Sequence, residues 1–273
     1  MKVIKSIDDY LNASPEEVEM AFSQVTIMKN LEDWLAWLSA SETTTEVRAK
    51  LQRYKKRAKG IHPSSACKKN VCKLKLYYEC THDIEPRKAY VQEDQLTWDT
   101  GTILHETYQA HFGNMYGDIF SAEVNLEIPD LHVKSRTDGL FDFDLVRIVL
   151  EMKSIKEGGN FGWATIQKGP MEDNVRQLHF YMVGSDTPFG LLFYMNKNAG
   201  KLKEHPVKFD PEIWQDILDT IQPVSDAVYN NGPMVEALPG WHCRYCDFNH
   251  ACPAAKQERT HVKGTERPWG GNR

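Results

Sequence analysis

Nowhere does this sequence carry the roughly 20 consecutive apolar residues that a membrane-spanning helix needs, so no span is expected. The start, Met1-Lys-Val-Ile-Lys-Ser-Ile-Asp-Asp9, puts acidic residues where a signal peptide keeps its apolar stretch, so no leader is expected either. Both expectations fit a reducing cytoplasm, in which the six cysteines argue against a disulfide framework. Gly-Lys-Ser/Thr of a P-loop is absent, which removes any built-in nucleotide-driven motor. No internal repeat is visible. Positive charge is also short. The 33 Lys and Arg against 38 Asp and Glu leave a net charge of -5, unlike most polyanion binders. A basic path can still coexist with an acidic outer face.

What is present is 41% hydrophobic content over 273 residues, enough for one large domain or one domain with appendages. Residues 1 to about 58 read as helical. There Ser14 caps a helix opened by Pro15, with Glu17 three residues on. Trp34, Leu35, Trp37 and Leu38 form an apolar packing stripe. Residues 61–67 read as irregular, 72–80 as helix, and another helix opens at Asp99 and runs to about His111. Strands are expected over 120–128, 131–143 and 146–153 as an antiparallel meander, followed by a loop marked by Gly158, Gly159 and Gly162. A helix over 173–182, a buried strand over 189–195, an edge strand over 201–208 and an amphipathic helix over 211–229 complete the core. The chain turns irregular and cysteine-rich from Gly232 and is expected to fray after Cys252. This order of elements describes an α/β protein.

Thr137-Asp138-Gly139 and the strand ending Leu150-Glu151-Met152-Lys153 carry the densest chemistry. Glu151 and Lys153 are two apart on a strand, so they share a face. Asp138, 13 residues earlier, is at the distance a hairpin return needs to lie alongside. Two carboxylates suit a hard divalent cation such as Mg2+ or Mn2+, and the Met152 carbonyl between the side chains is a further candidate ligand. Lys153 would orient or help deprotonate an attacking water. The plain alternative is a solvated sheet edge with an Asp-Gly turn.

In order along the chain, Gly101-Thr-Ile-Leu-His105, Asp138-Gly139, Glu151-Met-Lys153, Gln177-Leu-His-Phe-Tyr181, and Cys72 with Cys243, Cys246 and Cys252 resemble the PD-(D/E)XK nuclease superfamily. More narrowly, the set is similar to the RecB-type branch with an iron-sulphur cluster, as in CRISPR-adaptation exonucleases, the AddB nuclease domain and phage exonucleases. Thr137 stands where the family name has proline. The resemblance implies a restriction-endonuclease-like core with a mixed central sheet flanked by helices. The chain is then expected to divide into a helical extension over 1–60 that lies outside the resemblance, a nuclease core over 61–231, and a metal-cluster clasp with tail over 232–273. It also implies that His105 is a metal ligand favouring Mn2+, and that Gln177 and Tyr181 support the lysine on the substrate side.

Cys243-x2-Cys246-x5-Cys252 places three thiols together, a set that wants a soft metal. The resemblance supplies Cys72 as the distant fourth ligand and a [4Fe-4S] cluster as the occupant. Cys67 and Cys80 compete for that position, and zinc with His242 or His250 is the other occupant the spacing allows.

Lys50, Arg53, Lys55, Lys56, Arg57 and Lys59, then Lys68, Lys69, Lys73 and Lys75, form the densest basic run and the best candidate for phosphate contacts. Tyr54, Tyr77 and Tyr78 are candidates for base stacking. The implied function is a metal-dependent DNA exonuclease in replication, recombination or end-processing, in a bacterial or phage-infected cytoplasm. DNA is the expected partner, with a helicase, recombinase or other replication protein beside it. The rival readings are an inactive nucleic-acid-binding or scaffold module and a partner-dependent CRISPR-adaptation nuclease.

Overall fold

The computed structural model describes residues 3–23, 60–84, 92–159 and 162–255. The tryptophan stripe at Trp34 and Trp37, the basic residues from Lys50 to Lys59, Tyr54 and the tail beyond 255 lie outside the described residues.

Two short helices open the chain. Ser6 caps α1 (Ile7–Leu11), its hydroxyl accepting from Asp9 N–H at 3.1 Å. In α2 (Pro15–Ser23) the expected reciprocal cap is present. Glu17 N–H donates to Ser14 Oγ at 3.2 Å, and Ser14 N–H to Glu17 Oε2 at 2.8 Å. Helix α3 (Pro63–Ala66) occupies part of the stretch expected to be irregular. Pro63 fits the first turn of a helix, and four residues are too short to show a period. Cys72 then precedes α4 (Lys73–Thr81).

Helix α5 (Gln92–Tyr116) is longer at both ends than the sequence pattern implies. Packing overrides the cost of Gly113 near its end. Phe112 is fully buried and makes edge contacts with Phe120, Phe141 and Phe193. After the sheet's third strand come α6 (Trp163–Ile166), which the glycine-marked loop concealed, and α7 (Glu172–Gly184). Helix α8 (Pro211–Tyr229) is capped by Asp210, whose carboxylate accepts from Glu212 and Ile213 N–H.

The sheet has five strands in sequence order: β1 (Phe120–Ile128), β2 (Val133–Asp142), β3 (Arg147–Ile155), β4 (Phe189–Asn196) and β5 (Leu202–Lys208). β1, β2 and β3 form the expected antiparallel meander. β3 and β4 are parallel, so the chain between them must cross over, and it does so through α6 and α7. β5 returns antiparallel at the edge. The sheet is mixed and flanked by helices, an α/β fold.

Its two faces bury separate cores. Val149, Leu192 and Tyr194 pack with α4, α7 and α8, whereas Ile148, Leu150, Met152 and Phe193 pack with α5 and the N-terminal helices. β4 is buried on both faces along its whole length, as expected of a strand covered on both sides. Ile4 bridges Val146 and, with Val18 and Ala21, joins the second core.

Candidate active site and cysteine cavity

The alternation of β3 decides where its charges go. Ile148, Leu150 and Met152 take one face, leaving Glu151 and Lys153 on the face that α7 covers. The β2–β3 register pairs Gly139 with Leu150, which sets Asp138 next to Glu151 where the hairpin ends. Gly139 is required there by close approach, not by a turn. A Cβ at this position would lie 2.4 Å from the Phe120 ring. Beneath it, buried Thr137 donates to the Leu150 carbonyl at 2.5 Å and ties the two strands together.

Asp138 uses both oxygens. Oδ2 accepts from Met152 N–H at 2.6 Å, and Oδ1 lies 3.3 Å from His105 Nδ1 on α5. One turn further along α5, Gln109 donates to the Asp138 backbone carbonyl at 2.8 Å and to Glu123 Oε1 at 3.1 Å. Gln109 is buried and was not singled out in the sequence, although its i+4 spacing from His105 is a readable signal. Glu151, 4% exposed, is ion-paired with Lys153. Lys153 Nζ donates to Gln177 Oε1 at 3.0 Å, and Gln177 Nε2 donates to Tyr181 Oη at 2.7 Å. His105, Asp138, Glu151, Lys153, Gln177 and Tyr181 are therefore brought together by four elements. Met152 contributes its backbone, its side chain being buried in the opposite core.

The electrostatics separate the two carboxyls. Burial pushes Glu151 up to about 7, further than the Lys153 charge pulls it back. Burial also opposes the charge on Asp138, but the hydrogen bond and charge of His105 and the Met152 N–H outweigh it and hold that carboxyl below its ordinary range. His105 moves up in return, because Asp138 outweighs burial. Burial disfavours the Lys153 ammonium, yet Glu151 more than compensates and its pKa rises. Within this coupled pair Lys153 keeps its proton and Glu151 is the member that gains one first. Burial, followed by the Glu151 charge, raises Tyr181 well above the phenol range, so its hydroxyl stays protonated.

Two hard carboxylates and an imidazole are a donor set that fits a divalent cation. Among the described residues, however, no three His, Cys, Asp or Glu side chains converge as they stand into a metal-ligand set. Asp138 is turned to Met152 N–H and His105, and Glu151 to Lys153.

Four of the six cysteines meet elsewhere. Cys72, Cys243, Cys246 and Cys252 line one cavity of about 560 Å³. Leu238 N–H donates to Cys72 Sγ at 3.4 Å, which joins the start of α4 to the C-terminal segment. Phe248, buried between Cys246 and Cys252, packs its ring against Tyr78 at 5.6 Å. Cys67 and Cys80 do not line this cavity. Burial pushes their thiols up to about 11 and about 12. His242 lines the cavity too, its Nε2 lying 2.6 Å from the Leu238 carbonyl.

The stacking expectation for Tyr77 and Tyr78 needs correcting. Tyr78 is buried, and Tyr77 is half-buried against it. Both serve packing, as aromatic residues on a short amphipathic helix usually do. Of the described lysines in the basic run, Lys69 pairs with Glu172, Lys75 with Glu79, and Lys73 donates to the Asp219 carbonyl.

No protein-family model matches the chain, and no curated protein matches it. Among solved structures, the protein SSO0001 is similar over 85% of this chain and 98% of its own, with 18% identity and a TM-score of 0.43. The alkaline exonuclease LHK-Exo from Laribacter hongkongensis is similar over 63% of this chain and 91% of its own, with 13% identity and a TM-score of 0.44. LHK-Exo in complex with dAMP matches 63% of this chain and 89% of its own, with 12% identity and a TM-score of 0.47.

Proposed function

We propose that this chain is a divalent-metal-dependent deoxyribonuclease of the PD-(D/E)XK kind, acting as an exonuclease on DNA ends in replication, recombination or end-processing. The observation that carries the reading is the continuous chain Glu151–Lys153–Gln177–Tyr181 lying beside Asp138 where the pairing of β2 with β3 ends. A half-buried lysine fixed next to a buried, raised carboxyl is a poor choice for stability alone, since taking charges out of water costs several kcal/mol per ion.

Asp138 and Glu151, with His105 and the Met152 carbonyl, would hold Mg2+ or Mn2+. The bound ion would polarise a phosphodiester and acidify a water. Lys153 is aimed by Gln177 and stays charged, so it can orient the attacking water and steady negative charge on the phosphorus oxygens. Gln177 is itself fixed by Tyr181, whose hydroxyl keeps its own proton to offer. His105 and Gln109 clamp Asp138 from the side chain and from the backbone. Digestion of end-labelled DNA with Mn2+ and with Mg2+, beside Glu151→Gln protein, tests this. Metal-dependent shortening by the wild-type chain alone is expected; equal products from both proteins would remove the site from consideration.

For the cysteine cavity we propose a [4Fe-4S] cluster held by Cys72, Cys243, Cys246 and Cys252. The four thiols on one cavity wall support a soft-metal occupant. Its role there is structural, joining the start of α4 to the C-terminal segment. The position of His242 in the same cavity favours zinc as the second reading. Metal analysis of anaerobically purified protein separates them: about four irons and sulfides per chain for the cluster, stoichiometric zinc for the alternative.

A further inference from the structure

Most of the described large aromatic side chains are covered, but Trp241 and Tyr245 are not. They are 75% and 80% exposed, the most exposed large hydrophobic residues described. They lie on one short 3-10 turn, Trp241–Tyr245, that also carries Arg244. Their ring centroids are 6.4 Å apart and the planes meet at 68°, an edge contact that leaves both rings open to solvent, and Trp241 meets His242 edge-on as well. Desolvating two such rings would be favourable, and their isolation in water calls for a partner.

The surroundings indicate its chemistry. Lys68 and Lys69 line the same cavity as Trp241 and Tyr245, and both lysines are exposed. No described acid pairs with Lys68 or Arg244, while Lys69 is shared with exposed Glu172. Asp173 also lines this wall, so the positive charge is in excess but not unopposed. Flat aromatic faces interleaved with cations fit a strand whose bases are free to stack and whose phosphates need neutralising. A blunt duplex hides its base faces and cannot use the rings in this way.

Position adds the link to chemistry. Asp173 stands in the first turn of α7, and Gln177 follows one turn later, about 6 Å along the axis. Asp173 thus lines the cavity of the aromatic pair and the two lysines, and one helical turn on Gln177 holds the candidate catalytic lysine, Lys153.

We propose that Trp241 and Tyr245 form a stacking platform for single-stranded DNA, which holds the strand while its phosphates run over Lys68 and Lys69 toward Lys153. The platform rests on the nuclease reading for its destination, and it names the substrate class of that site: a single strand or a frayed end. Trp241 and Tyr245 are binding residues at a distance from the reacting phosphate.

The test is fluorescence anisotropy of a labelled oligo(dT) and of a labelled blunt hairpin duplex, with the full chain in a Glu151→Gln background to prevent turnover. Trp241→Leu and Tyr245→Leu should each weaken oligo(dT) binding about tenfold, since a base–aromatic stack contributes roughly 5- to 150-fold. Trp241→Phe should restore most of the loss, and hairpin binding should change less than about twofold. Unchanged oligo(dT) affinity in both Leu variants overturns the platform, even if the wild-type chain digests DNA. Equal loss for oligo(dT) and hairpin overturns it as well. A wild-type chain that digests nothing, yet loses single-strand affinity on Trp241→Leu, removes the nuclease reading and leaves the platform. Should the Leu variants fail to fold, photocross-linking of bromodeoxyuridine oligomers to otherwise unaltered protein decides. Adducts at Trp241 or Tyr245 support the platform, and adducts elsewhere overturn it.

Discussion

Where β2 and β3 part, each polar side chain of the candidate active site has a protein partner. Around the cysteine cavity the thiols have little: Cys72 accepts from Leu238 N–H and Cys246 from Phe248 N–H. The first region is positioned by β2, β3, α5 and α7, elements with large buried faces. The second hangs on one 3-10 turn, a few reverse turns and the ring of Phe248. Interlocked hydrogen bonds can hold a reactive arrangement without help. Thiols spaced round a cavity by loops gain their order from what they bind. The two regions should therefore fail differently when disturbed.

The largest effect is expected where β2 and β3 part. Asp138→Asn, Glu151→Gln and Lys153→Ala should each take DNA cleavage below detection, and Lys153→Ala and Glu151→Gln should also lower the melting temperature of metal-free protein, because each leaves the other member of the Glu151–Lys153 ion pair without its partner. Near wild-type turnover by Lys153→Ala would break the comparison at its stronger end. Cys243→Ser, Cys246→Ser, Cys252→Ser and Cys72→Ser should do the reverse: metal is lost and thermal stability falls first, with activity following. The 170 residues between Cys72 and Cys243 are costly to close without the metal. Cys80→Ser and Cys67→Ser should keep their metal, which analysis of the six variants would check.

Gly139→Ala should destabilise by about 1–3 kcal/mol in denaturant titration, as Phe120 must move to admit the methyl group. Gln109→Leu should cost about 1–2 kcal/mol, because the Asp138 carbonyl and Glu123 lose a donor. It should also lower cleavage in proportion to the looser Asp138. The smallest effect is on pH. Glu151 is raised to about 7 and His105 is raised as well, so both groups bind protons more tightly folded than unfolded. Their contribution to stability is present in mild acid and is lost as pH rises through their folded values. In metal-free protein the melting temperature should therefore fall more steeply between about pH 5 and 8 in wild type than in Glu151→Gln. An identical profile would mean that Glu151 is better solvated than its burial implies.

The fold was largely legible because its strands alternate or are uniformly apolar. The bounds of α8 followed from amphipathic spacing and Pro211, and those of β1 from the turn at Pro129. The parallel pairing of β3 with β4 was not legible, since no local pattern records which neighbour a buried strand chooses. In the site, Glu151 and Lys153 stood out because charge interrupts an apolar run, and Asp138 because it lies a hairpin's return before them. Gln109 did not, being a polar residue on a helix until the fold brings the Asp138 carbonyl to it. Trp241 and Tyr245 were passed over because sequence gives residue type but not exposure, and the aromatic residues that were noticed, Tyr77 and Tyr78, proved to be packing.

The crossover between β3 and β4 also imposes an order of assembly in time. β2 and β3 are joined by a short hairpin turn, so Asp138 and Glu151 can meet within microseconds of the strands pairing. Gln177 reaches Lys153 only when α7 has packed and the parallel strand has docked, a long-range closure that is slower. For an interval the two carboxylates stand together while the lysine has no amide to aim it. A half-formed chain is then an acidic hairpin without a positioned lysine, and the full set of contacts at the candidate site arrives only with α7.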